Sequence, residues 1–293
     1  MKAASTGKRV AARDAAAKRS TIKQATPRQS KTGRSKTGRS KTRPKAAAKS
    51  AASVLTLAVD IGGSHIKASI LSQAGVMLAQ PVRVETPDPA KPAAVLDAIA
   101  GLAAQLPRYR RIAVGFPGAV RDGRVLTAPN LGTDFWQGFA LAEKLAARLE
   151  RPTRVLNDAD VQGLGVIEGK GLECVLTLGT GVGSSLFKDG MLLPHLELGQ
   201  HPFVDNKTYD EYLGHAALEK KGHHKWNRRL EKAIEVVSRL INYDLLHLGG
   251  GNAQVIAFKL PAKVRLAANI GGITGGVRVW DRALDPLFAG RGR

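Results

Sequence analysis

The octapeptide Asp60-Ile-Gly-Gly-Ser-His-Ile-Lys67 lies between two apolar runs, Val54–Val59 before it and Ala68–Leu71 after it. Both runs read as strands, so the peptide is a tight turn at a strand's carboxyl end. Gly62 and Gly63 permit the sharp bend and let backbone N–H groups face an anion. Two further segments repeat the design: Leu178-Gly-Thr-Gly-Val-Gly-Ser184 after Cys174–Leu178, and Leu248-Gly-Gly-Gly-Asn252 after Tyr243–Leu248. One such turn matches by accident, and the first lacks the Gly-Lys-Ser/Thr ending of a Walker loop. Three in order, with Asn157-Asp158 between the first two, predict an α/β fold whose cleft receives phosphates at the strand carboxyl ends.

The regions between these turns support a duplicated α/β unit. Val76–Val84 reads as a strand, Ala93–Leu106 has helical apolar spacing, and Arg111–Gly115 is a strand ending in Phe116-Pro117-Gly118. Leu141–Leu149 reads as a helix and Thr153–Leu156 as a strand running into Asn157-Asp158. In the second half Ser185–Lys188 leads to an Asp189-Gly190 hairpin signal; Thr208–His215 and Asn227–Leu240 read as helices, and Val264–Ala268 as the last strand. The expected organisation is a Lys/Arg/Ala-rich disordered tail over 1–52, an N-terminal α/β lobe over 53–156, a C-terminal α/β lobe over 157–285 and a flexible end over 286–293.

Charge divides the chain unevenly. The whole carries +21, yet residues 1–50 hold nine Lys, seven Arg and one acid, Asp14, leaving only +6 for the rest. The repeats Ser30-Lys-Thr-Gly-Arg34 and Ser35-Lys-Thr-Gly-Arg39 self-repel and have nothing to bury. Three roles fit this tail: a solvated extension, an arm contacting a polyanion such as polyphosphate or nucleic acid, or a transit peptide. One cysteine, Cys174, excludes an internal disulfide, and no apolar run reaches bilayer-spanning length. A soluble, cytoplasmic protein with no membrane partner is expected.

Taken together, the motifs resemble those of the sugar-kinase, actin and heat-shock ATPase superfamily, and more narrowly the ROK family, especially its polyphosphate glucokinases. Gly115-Phe-Pro-Gly118, Ala128-Pro-Asn-Leu131 with Trp136, Leu156-Asn-Asp-Ala159, Pro194-His-Leu-Glu-Leu-Gly199 and Leu248-Gly-Gly-Gly251 follow in family order across about 54–285. The resemblance implies a two-lobed actin-like, ribonuclease H-like ATPase fold. It implies transfer of a phosphoryl group to the 6-hydroxyl of glucose with Mg²⁺, with inorganic polyphosphate as the preferred donor and ATP as the alternative. Asp158 would be the catalytic base, and Gly118, Asn130, Asn157, Glu197 and Gln200 would hold the sugar. Gly62, Gly63, Ser64, Lys67, Gly179, Thr180, Gly181 and Gly183 would receive phosphates, and Asp60 would hold Mg²⁺ directly or through water.

The residues themselves leave alternatives at several points. Asn157-Asp158 also suits an Asx turn ending a strand, and Asp160 could be purely structural. The family's usual Glu-x-Gly-His is Glu197-Leu-Gly-Gln200 here, which opens the choice of hexose; His201 could replace the missing histidine only through a one-residue shift. Lys220, Lys221, Lys225, Arg228 and Arg229 around Trp226 form a basic cluster, read either as a polyphosphate track or as a solvated helix start with Trp226 in the core. His223-His224 lack a spaced third partner, and the family's zinc cluster needs cysteines this chain does not have. Gly249-Gly-Gly251 resembles an adenosine-side turn, while the glycines of Asn269–Gly276 weaken the expected terminal helix. A sugar-responsive or nucleic-acid-tethered protein is the non-enzymatic alternative. A repressor's helix-turn-helix would need apolar periodicity that residues 1–50 do not show. A homodimer is compatible with the sequence.

Overall fold

The computed structural model describes residues 54–267 and 271–289, all within one compact unit spanning Ser50–Arg293. The expectations for residues 1–52 lie outside the described residues. Two five-stranded sheets carry the architecture, and their strand orders are the same. In the first, Thr56–Ile61 pairs antiparallel with His65–Leu71, which pairs antiparallel with Val82–Glu85; on its other side it runs parallel to Arg111–Phe116, and that strand to Thr153–Asn157. In the second, Leu172–Leu178 pairs antiparallel with Val182–Lys188, which meets Met191–Leu192; on its other side it runs parallel to Leu245–Gly249, which is followed by Val264–Leu266. A hairpin followed by two parallel crossovers thus occurs twice, as the spacing of the glycine turns suggested.

The central strands are apolar on both faces because both are covered. Leu57, Val59 and Ile61 pack towards the helices Pro92–Ala104 and Leu141–Leu149, with Phe116 and Trp136 in the same core. In the second sheet Cys174, Leu176 and Leu178 face the long helix His215–Ile241 through Trp226, Leu230, Ile234 and Val237. Burial pushes the Cys174 thiol up to about 12, so this cysteine behaves as a small core hydrophobe.

The inner faces meet around the helix Asp158–Leu164. Its Val161 and Leu164 pack with Ala113 and Leu156 of the first sheet, Val175 and Phe187 of the second, and Val279 and Leu284 from the C-terminal segment. This helix was not foreseen; the sequence reading stopped at Asn157-Asp158. The glycines of the C-terminal segment have a packing role. A Cβ on Gly275 would lie 1.8 Å from the carbonyl oxygen of Val161, and one on Gly276 3.0 Å from Ala58 Cβ. The local helix penalty of glycine is accepted because the backbone must approach this closely.

Other boundaries differ for identifiable reasons. The expected strand Val76–Val84 is reduced to Val82–Glu85 plus a single bridge from Met77 to Leu71. Val76 and Leu78 stand exposed at 58% and 53%, so no second layer rewards pairing there, and Pro81 has no N–H to give. The two expected helices near residue 220 are organised differently: Tyr209–Leu213 is a short helix with a Thr208/Glu211 capping box, and His215–Ile241 runs on past a break at Gly222, where φ is 72°. Near the C-terminal end, a 3₁₀ helix spans Arg282–Leu287, and Phe288 lies under the Arg154 guanidinium at 4.4 Å, so the folded body continues beyond residue 285. Among the described residues no helix is long and apolar enough to cross a membrane.

Candidate active site

The carboxyl ends of the parallel strands open onto a cleft of about 470 Å³. Strand register brings its acids together: Asp60 is level with Gly115, and Phe116 is level with Asn157, immediately before Asp158. Gly115 permits the approach, since a Cβ there would lie 3.2 Å from Asp158 Cα. The cleft gathers Asp60, Gly62, Gly63, Lys67, Gly118 and Asn130 from the first half. It adds Asn157, Asp158, Gly179, Thr180, Gly181, Gly183, Glu197 and Gln200. Ser64 is not among the lining residues, nor are Lys220, Lys221, Lys225, Arg228 and Arg229.

Asp158 opens the helix Asp158–Leu164, and Asn157 caps it. The Asn157 Oδ1 accepts from the N–H groups of Ala159 (2.7 Å) and Asp160 (3.3 Å), while its Nδ2 donates to the Gly118 carbonyl at 3.1 Å. Asn157 is therefore a helix cap that also ties down the Phe116–Gly118 turn, and most of its bonding capacity is committed there. Asp158 keeps one oxygen on its own helix end, accepting from the Ala159 N–H at 2.8 Å. Burial, then the Asp60 charge, push its pKa up to about 7, against the Ala159 bond. A carboxylate poised near neutrality can accept a proton from a hydroxyl as that hydroxyl reacts. Burial also raises the pKa of Asp60, with Lys67 pulling the other way.

The glycine turns are shaped by internal bonds. Gly62 N–H donates to the His65 carbonyl at 2.9 Å, and Thr86 Oγ1 donates to the Gly62 carbonyl at 2.7 Å. Gly179 N–H donates to the Gly181 carbonyl at 2.9 Å, and Val182 N–H to Asp210 Oδ1 at 2.6 Å. Gly62 and Gly179 thus hold the bends, and their own N–H groups are already spent. In the third turn Gly250 has φ of 85°, and a Cβ there would meet the Leu178 carbonyl oxygen at 2.3 Å. Only glycine satisfies both demands.

Two functional candidates escaped the sequence reading. Asp210 bridges the phosphate-side turn to the Glu197 segment, accepting from Val182 N–H and, at 2.6 Å, from Gln200 Nε2. Burial raises its pKa despite the Val182 bond. His195 lies with Nδ1 3.2 Å from Asp160 Oδ1 and Nε2 3.3 Å from Glu197 Oε1. Burial alone would lower its pKa, but the two carboxylates outweigh burial and push it up to about 10. The capping box marks Asp210 as a first-turn residue, and Pro194-His195 adjoins the Glu197 motif; neither signal reveals the partner.

Within the basic cluster, core residues and exposed residues are distinct. Trp226 is fully buried and donates to the Leu213 carbonyl at 2.8 Å, so it belongs to the core. Arg229 donates to the Tyr212 carbonyl at 2.9 Å and stacks on the Tyr212 ring at 4.2 Å, which makes it a packing residue, unlike its exposed neighbours Lys220, Lys221, Lys225 and Arg228. His223 and His224 are exposed, and among the described residues no three His, Cys, Asp or Glu gather as a metal site. His201 is exposed and outside the cleft, 6.5 Å from the Tyr209 ring, so it does not take the place of Gln200.

Two matched sheets, with glycine turns and acids converging between them, define an actin-like ATPase fold. The chain belongs to the ROK family, whose model matches residues 56–199. It is 30% identical over 236 residues to a polyphosphate glucokinase of Mycobacterium leprae, covering 74% of this chain and 72% of that protein. It is 33% identical over 203 residues to a polyphosphate glucokinase of Mycobacterium tuberculosis, covering 66% of this chain and 76% of that one. Among solved structures it resembles an inorganic polyphosphate/ATP-glucomannokinase from Arthrobacter sp. strain KM. That match has a TM-score of 0.71 and 31% identity, covering 77% of this chain and 97% of the other.

Proposed function

We propose that this protein is a sugar kinase that phosphorylates the 6-hydroxyl of glucose, with inorganic polyphosphate as preferred donor and ATP as alternative. The observation that carries the reading is the placement of Asp158 in one cleft with Glu197 and with the glycine turns of both halves. Asp158 orients the attacking hydroxyl and accepts its proton, while Asn130 and Glu197 hold other hydroxyls of the ring. Asn157 acts mainly by fixing the helix end that presents Asp158. The turns at Gly63 and Thr180–Gly183 receive the donor's phosphates.

The charge of the cleft suits a cation. Asp60, Asp158 and Glu197 all line it, the Asp60 charge adds to burial in raising the pKa of Asp158, and Asp60 would hold Mg²⁺ directly or through water. When bound, Mg²⁺ would neutralise the phosphates of the donor. With a single protein carboxylate for it, the remaining ligands would be water and phosphate oxygens.

Two features favour polyphosphate. The relatives named above are polyphosphate users by name. In addition, the helix His215–Ile241 begins against the second glycine turn, with His215 N–H donating to the Gly179 carbonyl at 2.9 Å. Its exposed Lys220, Lys221, Lys225 and Arg228 extend positive charge away from that turn, where a chain of phosphates has more to contact than a nucleotide has. The basic segment 1–50 would add to that attraction.

The test is glucose 6-phosphate formation by the purified chain with Mg²⁺, comparing polyphosphate and ATP at matched phosphate concentration. Faster turnover with polyphosphate is expected. Turnover with ATP alone would remove the donor assignment and keep the kinase. No product with glucose or any other hexose from either donor would overturn the reading.

A further inference from the structure

We propose that Asp160 and His195 form a buried relay that fixes the Glu197 carboxylate for the acceptor sugar, and that this relay, more than Gln200, sets acceptor affinity. The inference rests on reading the cleft as a sugar site. Asp160 lies on the helix Asp158–Leu164, two residues after the proposed base; its side chain is 4% exposed and it does not line the cleft. Its Oδ1 is 3.2 Å from His195 Nδ1, and no other side chain bonds its carboxylate among the described residues. The opposite ring nitrogen, Nε2, is 3.3 Å from Glu197 Oε1.

That second contact is an ion pair without hydrogen-bond alignment, and both of its atoms are buried with no other partner. Two adjoining buried polar atoms in this condition are costly unless charge holds them together. The cationic imidazolium expected between two carboxylates supplies that charge. Glu197 is nonetheless 34% exposed as a side chain, so Oε1 is turned inward to His195 while Oε2 is left for the cleft. Held this way, a carboxylate presents one oxygen in one direction, which is what positioning a hydroxyl requires. Gln200 is poorly placed to do this work, because its Nε2 is committed to Asp210 at 2.6 Å.

Asp160 acts only through His195 and Glu197 and is a positioning residue; His195 also lines the cleft beside Glu197, so the Asp160 variant separates positioning from direct contact of the ring with the sugar. A pair that merely welded the Pro194–Glu197 segment to the helix would affect stability and leave acceptor affinity alone. The experiment uses the full chain with Asp160→Asn, His195→Gln and the double variant. It measures glucose binding by calorimetry, KM for glucose and for the donor, kcat and melting temperature. Each single substitution is expected to weaken glucose binding and raise its KM about tenfold, with donor KM and kcat within about threefold. The double variant should be no worse than the singles, because both break one relay.

Unchanged glucose affinity in variants that melt like the wild type would overturn the relay. So would additive losses, or equal losses in donor KM and kcat. The wild type provides a further readout in ¹⁵N spectra of its histidines: His195 should remain protonated on both nitrogens at pH 8, and a neutral His195 imidazole there would overturn the relay even if no variant folds. Should the wild type neither bind nor phosphorylate a hexose, the sugar reading fails by itself; the relay is then decided by that spectrum, and by loss of the second proton in Asp160→Asn.

Discussion

The two halves of the molecule share one strand order but end their strands differently. In the first, the strand ends deliver acids: Asp60 from the central strand and Asp158 from the helix that follows the last. In the second, the central strand and its parallel neighbour run into glycine turns, Gly179–Gly183 and Gly249–Gly251. The cleft side chains of the second half come from segments beyond its hairpin, Glu197 and Gln200 from one and Asp210 from the first turn of the helix Tyr209–Leu213. The first half thus combines acids with one glycine turn, at Gly62-Gly63, whereas the second ends its strands in glycine turns and takes its carboxylates from later segments.

The sharpest way to break this comparison is through the glycines. Gly250→Ala puts a Cβ into the Leu178 carbonyl at a positive φ and should cost on the order of 3 kcal/mol or more, read as a fall in melting temperature or loss of soluble protein. Gly179→Ala meets nothing within 4 Å and should fold like the wild type. Loss of turnover in Gly179→Ala would then report space the donor needs. Equal destabilisation by both substitutions would contradict the division between structural and phosphate-facing turns.

A smaller effect is expected at Asp210, where the second half ties its own loops together. Asp210→Ala frees Val182 N–H and Gln200, and should lower stability by about 1–3 kcal/mol in a denaturant titration. A change below about 0.5 kcal/mol would mean the bridge is incidental. The acids of the first half should show themselves through pH. Because the folded pKa of Asp158 stands near 7, above its unfolded value, the native state holds an extra proton between about pH 4 and 7. Its contribution to stability is greatest below that window and falls as pH rises through it. The melting-temperature gain of Asp158→Asn over wild type should therefore grow from pH 4 to pH 7 by on the order of ten degrees. A gap that is flat with pH would mean Asp158 titrates normally.

The duplicated sheet was legible because each central strand is a run of apolar residues ending in glycines, a pattern set by burial on both faces. The composition of the cleft was legible for a related reason: most of its residues sit within a few positions of those strand ends. The helix Asp158–Leu164 was not, because seven residues containing Gly163 carry too little periodicity to stand out. Its one local signal is Asn157 as a cap, and the same residue suits an Asx turn equally well. The links from His195 to Asp160 and from Asp210 to Val182 were hidden because those partners lie 35 and 28 residues away in sequence, joined only by packing. Arg229 was grouped with its charged neighbours since nothing local distinguishes it; contact with Tyr212, 17 residues earlier, does. The family motif leads to expecting a cleft histidine at position 200, whereas the one present arrives five residues earlier and from the other side of Glu197.

The most direct test of the account is single-turnover formation of glucose 6-phosphate by wild type and Asp158→Asn, with saturating polyphosphate, Mg²⁺ and glucose and with glucose binding measured alongside. The account predicts a rate lowered at least 10²-fold in the variant, roughly what loss of a general base costs, with glucose affinity retained. Turnover near the wild-type rate would contradict it and remove Asp158 from the centre of the mechanism.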